Sequence, residues 1–167
     1  MHTTMDQIKK YFSAEKRESI LFLLFGVGSF SVGLYFLGLE RFSFTIGLSI
    51  GLMVIALIQL VVGFTIFIRS PKDIIRVEEY LTKDKAKIQT VEIPRMLKVM
   101  KSFKMYKKIE LFLVVGGVLL FVVLNVGTFL QGLGMGLFVQ SFLMLIFDFF
   151  AERRGKKYLK YLNNLSI

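Results

Sequence analysis

The chain has no cysteine among its 167 residues and a single histidine, His2. Without thiols, it offers no disulfide, thiolate metal site, catalytic cysteine or palmitoylation site. A lone histidine beside the initiator methionine argues against haem ligation, histidine proton relays and His-containing zinc sites. The sequence therefore predicts no metal and no cofactor.

Catalytic motifs are missing as well. The chain contains no Gly-rich phosphate loop after a strand, no HExxH, no Gly-x-Ser-x-Gly elbow and no evident pair of inward-facing carboxylates. We therefore expect that the protein is not an enzyme.

Charged residues are absent from three long runs, Ile20–Leu39, Phe42–Ile68 and Leu111–Phe147, of 20, 27 and 37 residues. About 20 residues cross the roughly 30 Å of bilayer hydrocarbon as a helix. The first two runs are thus one span each, whereas the third fits two short spans separated by a glycine-rich break around Gln131. A hydrophobic content of 54% and a mean hydropathy of +0.63 are too high for a soluble domain of this size. The fold predicted is an all-α integral membrane protein with four transmembrane helices.

The segments flanking these runs have amphipathic helical patterns. We predict a short arm at Met5–Phe12, a new helix capped by Ser70 before Pro71 and a basic tail at Ala151–Leu162. The pattern of Ile88–Ile93 is ambiguous, with an extended stretch as one alternative. A helix opened by Pro94 is expected to continue into the third span. The central loop should be mostly helical and should lie against the membrane or the protein's own helices. Its apolar faces should be buried at the lipid interface or against a partner protein; these faces are Ile74/Val77/Leu81 and Met96/Met100/Phe103. The four spans are placed at about 19–39, 44–68, 109–130 and 133–150, with the last turn at 130–134.

The basic residues are distributed very unevenly. Of the 22 Lys and Arg residues, only Arg41 lies in a loop on one side of the four spans, and the other 21 lie on the opposite side. Basic residues accumulate on the cytoplasmic side of membrane proteins. We therefore expect both termini and the central loop in the cytoplasm and the chain in the inner membrane. Because topology accounts for the net charge of +10, we expect no nucleic-acid partner.

Short sequence matches suggest an internal duplication. The segment from Leu21 to Gly26 resembles the segment from Leu111 to Gly116 at an offset of 90, and Gly51, Gln59 and Tyr80 recur as Gly132, Gln140 and Tyr161 at an offset of 81. We predict two tandem, parallel helical hairpins, covering residues 5–82 and 94–163 and joined by a linker at 83–93. The alternative is chance matching among apolar residues.

Three polar side chains are expected inside the spans: Gln59, Gln140 and Asp148. The two amides would form interhelical hydrogen bonds or, alternatively, line a polar pathway. Asp148 would pair with a basic residue at the membrane interface or, alternatively, carry protons. Glu18 and Glu110 are expected to form solvated salt bridges beside neighbouring basic residues.

Two further groups are candidates for packing and lipid contact. Small residues at four-residue spacing predict close helix packing, and basic residues near the spans predict contact with anionic lipid headgroups. The first group is Ser43, Gly47, Gly51, Gly132 and Gly136; the second is Lys98, Lys101, Lys104, Lys108, Arg153 and Arg154.

Together these features favour a non-enzymatic membrane subunit that acts by binding a partner, either a membrane protein or further copies of itself. The alternatives are a small oligomeric channel, pore or transporter and, less favoured, a lipid-modifying enzyme. Sparse polarity within the spans is the feature that favours binding.

Overall fold

The computed structural model describes residues 2–39 and 42–165, with side chains described for 5–38 and 42–165. The described chain is almost entirely helical. In order, it contains α1 (His2–Leu39), α2 (Ser43–Lys83), a π-helical segment (Ile88–Glu92), α3 (Ile93–Val123) and α4 (Phe129–Leu165).

Three of the helices, α1, α2 and α4, are long and apolar enough to cross a membrane. The 41 residues of α2 rise about 60 Å at 1.5 Å per residue, twice the thickness of bilayer hydrocarbon. The helices are longer than a membrane span, and each combines an apolar part with a charged part. The third predicted span corresponds to α3, whose uncharged part within the helix, Leu111–Val123, has only 13 residues.

The helices form two antiparallel hairpins, α1–α2 and α3–α4, which meet mainly through α2 and α4. These two helices run parallel, because residues near 47 contact residues near 132 and residues near 59 contact residues near 140. The charged ends of all four helices are consequently brought together at one end of the molecule.

The last turn lies earlier than predicted. It occupies residues 124–128 instead of 130–134, and Gly127 has a φ of 83°, which suits glycine. The Gln131 side chain holds the turn, since it accepts from the Gly127 N–H at 2.8 Å and donates to the Phe121 carbonyl at 3.2 Å. Gly132 and Gly136 lie inside α4 and pack against α2, as the four-residue spacing of small residues predicted, and they take no part in the turn.

No new helix begins at Ser70, contrary to the prediction. Ser70 Oγ donates to the Ile66 carbonyl at 2.8 Å within a continuous α2, and Pro71 lies inside that helix. An internal proline costs about 3 kcal/mol, and burial of Ser70, Asp73 and Val77 is the compensating packing. Met5–Phe12 is likewise the start of α1 and not a separate arm, and Ile88–Ile93 is helical and not extended. The rod predicted from Pro94 into the third apolar run is continuous.

Large apolar side chains are buried chiefly at the charged end, which we call the basal bundle (residues 5–18, 69–108 and 151–165). Of the two placements predicted for the central loop, against the membrane or against the protein's own helices, the structure has the second, since Val77, Met96 and Met100 pack with residues of α1 and α4. Burial of these apolar faces against lipid or a partner was therefore wrong. The core of the basal bundle consists of Ile8, Tyr11, Phe12, Val77, Ile88, Met96, Met100, Tyr158 and Leu162.

The remainder of the helices, which we call the apolar segment (residues 19–38, 44–68, 109–123 and 129–150), is packed differently. Its large side chains point largely outward, with Phe112 76% exposed and Val61 67% exposed. Glycines and small polar residues occupy the contacts between helices. This inside-out pattern is typical of packing in lipid, where apolar side chains gain nothing by turning inward.

Candidate functional site

The contact between α2 and α4 is a glycine seam formed by Gly47, Gly51, Gly132 and Gly136. A Cβ on Gly47 would overlap the Phe129 carbonyl, and a Cβ on Gly132 would overlap the Phe44 carbonyl. Gly51 and Gly136 face each other further along the seam. The two backbones therefore touch directly and leave no room for a solute between them. Ser43, the fifth predicted packing residue, is exposed and takes no part.

Gln59 and Gln140 meet at the far end of this seam. Both side chains are fully buried, and Gln140 Nε2 donates to Gln59 Oε1 and to the Leu52 carbonyl, each at 3.4 Å. Gln59 Nε2 and Gln140 Oε1 have no hydrogen-bond partner among the described residues. The pair thus joins the two hairpins but leaves half of its hydrogen-bonding capacity unused.

Asp148 lies beside Glu110, not beside the basic residues on its own helix. The two carboxyl groups lie within electrostatic reach of each other, and Glu110 Oε2 has no hydrogen-bond partner among the described residues. Glu110 is only 4% exposed, so the predicted solvated salt bridge is wrong. Lys107 from α3 is the nearby cation and pairs with Glu152 of α4, while Arg154 pairs with Glu18 of α1. These contacts join α3 and α1 to α4 at the boundary with the basal bundle.

A buried ionic cluster lies at the centre of the basal bundle. Glu92 is fully buried and accepts two hydrogen bonds from Arg95, at 2.6 and 2.9 Å, and one from the Tyr158 hydroxyl at 3.2 Å. Asp73, which is 1% exposed, pairs with Arg76 at 2.7 Å, and Arg76 also reaches Glu92 at 3.4 Å. The cluster therefore connects α2, the π-helical segment, α3 and α4.

The environment of the ionic cluster keeps Arg95 charged. Burial lowers the pKa of its guanidinium, but the bidentate contact with Glu92 outweighs burial and places the pKa above its usual value. The Arg95 guanidinium also lies over the Phe12 ring of α1, 5.8 Å from its centre. Tyr11 of α1 stacks on Tyr158 at 4.1 Å, so α1 is attached to the same cluster. All these contacts are structural in kind, because the acids are buried and the charges are paired.

Sequence reasoning missed Glu92, Tyr158 and the role of Asp73 in this cluster. A usable signal was present, because Asp73 and Arg76 have the same i,i+3 spacing as Glu92 and Arg95, a spacing that places side chains together on a helix. The structure exposes Lys98, Lys101, Lys104, Lys108 and Arg153, whereas Arg154 is half-buried and occupied by Glu18.

Within the described residues, no group of three or more His, Cys, Asp or Glu side chains is arranged to hold a metal ion. Comparison with known proteins does not add a relative, since no family model, no curated protein and no solved structure matches the chain.

Proposed function

We propose that all four helices cross the bilayer, with the basal bundle and both termini in the cytoplasm. The proposal for α3 is supported by its packing along α4. Gly117 of α3 lies against the Gly134 carbonyl and Phe138, so the end of α3 reaches the same level as the start of α4. Lys108 near the other end of its apolar stretch is exposed, and its long side chain can reach the interface and extend the effective span. The one-sided basic residues support the cytoplasmic position of the basal bundle, and the inner membrane is the proposed location.

The two hairpins are proposed to be tandem copies related by an axis along the membrane normal. Their glycine contacts support this, because Gly47 approaches residues 129 and 133 while Gly132 approaches residues 44 and 48. These reciprocal contacts relate α2 to α4 at an offset of 85. Gly33 against Ser49 and Met53 likewise corresponds to Gly117 against Gly134 and Phe138, at an offset of 84 for the first helix. The offsets of 90 and 81 do not give these pairs, so the register of the repeat is revised.

The function proposed is that of a non-enzymatic membrane subunit that acts by binding a membrane-protein partner or further copies of itself. One observation carries it: the glycine seam closes the contact between the hairpins by direct backbone packing. A single copy thus has no passage along this seam. The basal bundle is also closed, with its core filled and its buried charges paired.

A small oligomeric channel or transporter is the second candidate. The observation that favours it is the unused hydrogen-bonding capacity of Gln59 and Gln140, since polar groups at mid-membrane depth can contact a permeating ion or solute.

A liposome flux assay distinguishes the two candidates. Purified protein is reconstituted at matched density as wild type and as the Gln59→Leu/Gln140→Leu double variant, and fluxes of protons, K⁺, Na⁺ and Cl⁻ are recorded. The binding subunit predicts no flux above empty liposomes for either protein. Wild-type flux that disappears in a correctly inserted double variant would contradict it and establish the conduit.

A further inference from the structure

We propose that the exposed face of α3 that carries Lys101, Lys104 and Lys108, together with the apolar groove next to it, is a binding site for one anionic phospholipid of the surrounding bilayer. Lys101, Lys104 and Lys108 would hold the phosphate, and an acyl chain would lie in the groove. The inference goes beyond the proposed function and rests on that proposal only in placing α3 in the bilayer.

The groove lies between α3 and α4 in the apolar segment. It has a volume of about 590 Å³, and its lining is almost wholly apolar. Gly116 leaves the groove open, since a Cβ added to this residue would meet no neighbouring atom within 4 Å. Bilayer hydrocarbon is the solvent that surrounds this surface. The residues used in the argument are Phe112, Gly116, Leu119, Leu120, Val123 and Leu137.

The lysines and the groove share one face of the same helix. At 100° per residue, Lys101, Lys108, Phe112 and Leu119 fall within a sector of about 40°, and Lys104 lies just beside it. Phe112 follows Lys108 by one turn. The face is thus basic at one end and continues directly into the groove, which matches a phospholipid with its headgroup at the interface and its chain in the hydrocarbon.

The charge on this face is not neutralised by the protein. The three lysines are exposed, and no ion pair to them is found in the described part of the chain. The acidic residues nearby point elsewhere: Glu110 is buried, and Glu152 is engaged by Lys107 and Lys156. An anionic headgroup therefore meets positive charge without competition.

Charge also argues against a second copy of the chain as the occupant. A symmetric copy on this face would bring its own Lys101, Lys104 and Lys108 against the same residues, and like charges repel. A zwitterionic phospholipid would fill the groove equally well but would gain less from the lysines. The site should therefore select phosphatidylglycerol over phosphatidylcholine.

The headgroup half is tested by native mass spectrometry of protein released from nanodiscs that contain both lipids. Wild type should retain one phosphatidylglycerol. The Lys101→Gln/Lys104→Gln/Lys108→Gln variant should bind it at least roughly tenfold more weakly. The control Lys9→Gln/Lys10→Gln/Lys85→Gln removes the same charge from exposed positions of the basal bundle and should bind it normally. Equal retention of the two lipids by wild type, or equal losses in both variants, would overturn the proposal.

The groove half is tested with Gly116→Phe, which fills the acyl-chain position without a clash with the protein. Gly28→Phe is the matched control, because that glycine on α1 also faces open space. Both variants should keep the melting temperature of wild type in phosphatidylcholine. Only Gly116→Phe should lose the retained phosphatidylglycerol and the thermal stabilisation that it gives. Retention by Gly116→Phe equal to that of Gly28→Phe would remove the groove from the site.

Discussion

Gln140 donates a hydrogen bond to Gln59 at 3.4 Å, so two amides 81 residues apart in the sequence meet inside the apolar segment. The contact lies at the end of the glycine seam. It is one of the few polar contacts between the hairpins in the apolar segment.

Replacing either glutamine tests the strength of this contact. Gln59→Leu and Gln140→Leu should each lower the free energy of unfolding by about 1 kcal/mol or less, because interhelical hydrogen bonds in membranes are weak. The double variant should cost less than the sum, since one substitution already removes the bond. Reversible unfolding in mixed micelles gives the three values. Strict additivity would show that the two amides are not coupled.

Because α2 and α4 approach closely at the glycine seam, one added methyl group there should lower the free energy of unfolding more than loss of the glutamine contact does. Gly132→Ala places a Cβ on the Phe44 carbonyl, which is backbone and cannot rotate away. We expect a loss of about 1–3 kcal/mol, as for overpacking in general. Gly38→Ala on α1, which meets open space, is the control and should leave the unfolding midpoint unchanged. A tolerated Gly132→Ala would mean that α2 and α4 are further apart than described.

The ionic cluster should contribute to stability through Glu92. Glu92→Gln removes the charge that Arg95 and Tyr158 contact and should cost roughly 2–3 kcal/mol, below the usual penalty for a broken buried pair because Arg76 is partly exposed. Glu79→Gln disrupts an exposed pair with Lys83 and should leave the thermal unfolding midpoint unchanged. Equal effects of the two variants would contradict a stabilising role for the cluster.

Removing a charge from the carboxyl pair of Glu110 and Asp148 should have the opposite effect on stability to removing the charge of Glu92. Asp148→Asn places an amide that can donate to the buried Glu110 carboxyl group and removes the need to bury a second acid, so stability at pH 8 should be unchanged or increased. Asp148→Leu removes the partner and should be destabilising. Thermal unfolding of both variants at pH 8 measures the difference. A destabilised Asp148→Asn would show that the charge on Asp148 is needed, as in proton coupling.

The sequence predicted the helical membrane fold because runs such as Phe42–Ile68 are long, uncharged and unmistakable in composition. It misplaced the last turn because glycines break helices in water but pack helices in lipid, and Gly132 and Gly136 serve the second purpose. It treated Ser70–Pro71 as a helix start because local capping chemistry takes no account of the packing around Asp73 and Val77. The basal bundle was missed for a related reason, since pairing amphipathic faces such as those of Phe12 and Met96 depends on tertiary contacts.

The pairing of Glu110 with Asp148 and of Glu92 with Tyr158 could not be predicted from the sequence. Each pair joins helices whose rotation about their own axes is fixed only by the seam and by the core of the basal bundle. Local spacing suggested another partner for Asp148, a basic residue at the membrane interface. The contact of Gln59 with Gln140 is easier to predict, because an amide inside an apolar run has few possible side-chain partners other than another amide.

The most direct test of the whole arrangement is cysteine labelling across the membrane, which the natural absence of cysteine makes simple. Single cysteines are placed at Ser13 and Lys85 in the basal bundle and at Val126, which is 94% exposed in the turn between α3 and α4. With an impermeant thiol reagent outside intact cells, only Val126→Cys should be labelled, and all three should react after permeabilisation. External labelling at Ser13 or Lys85, or protection of Val126→Cys until permeabilisation, would contradict the four-span arrangement with its basic end in the cytoplasm.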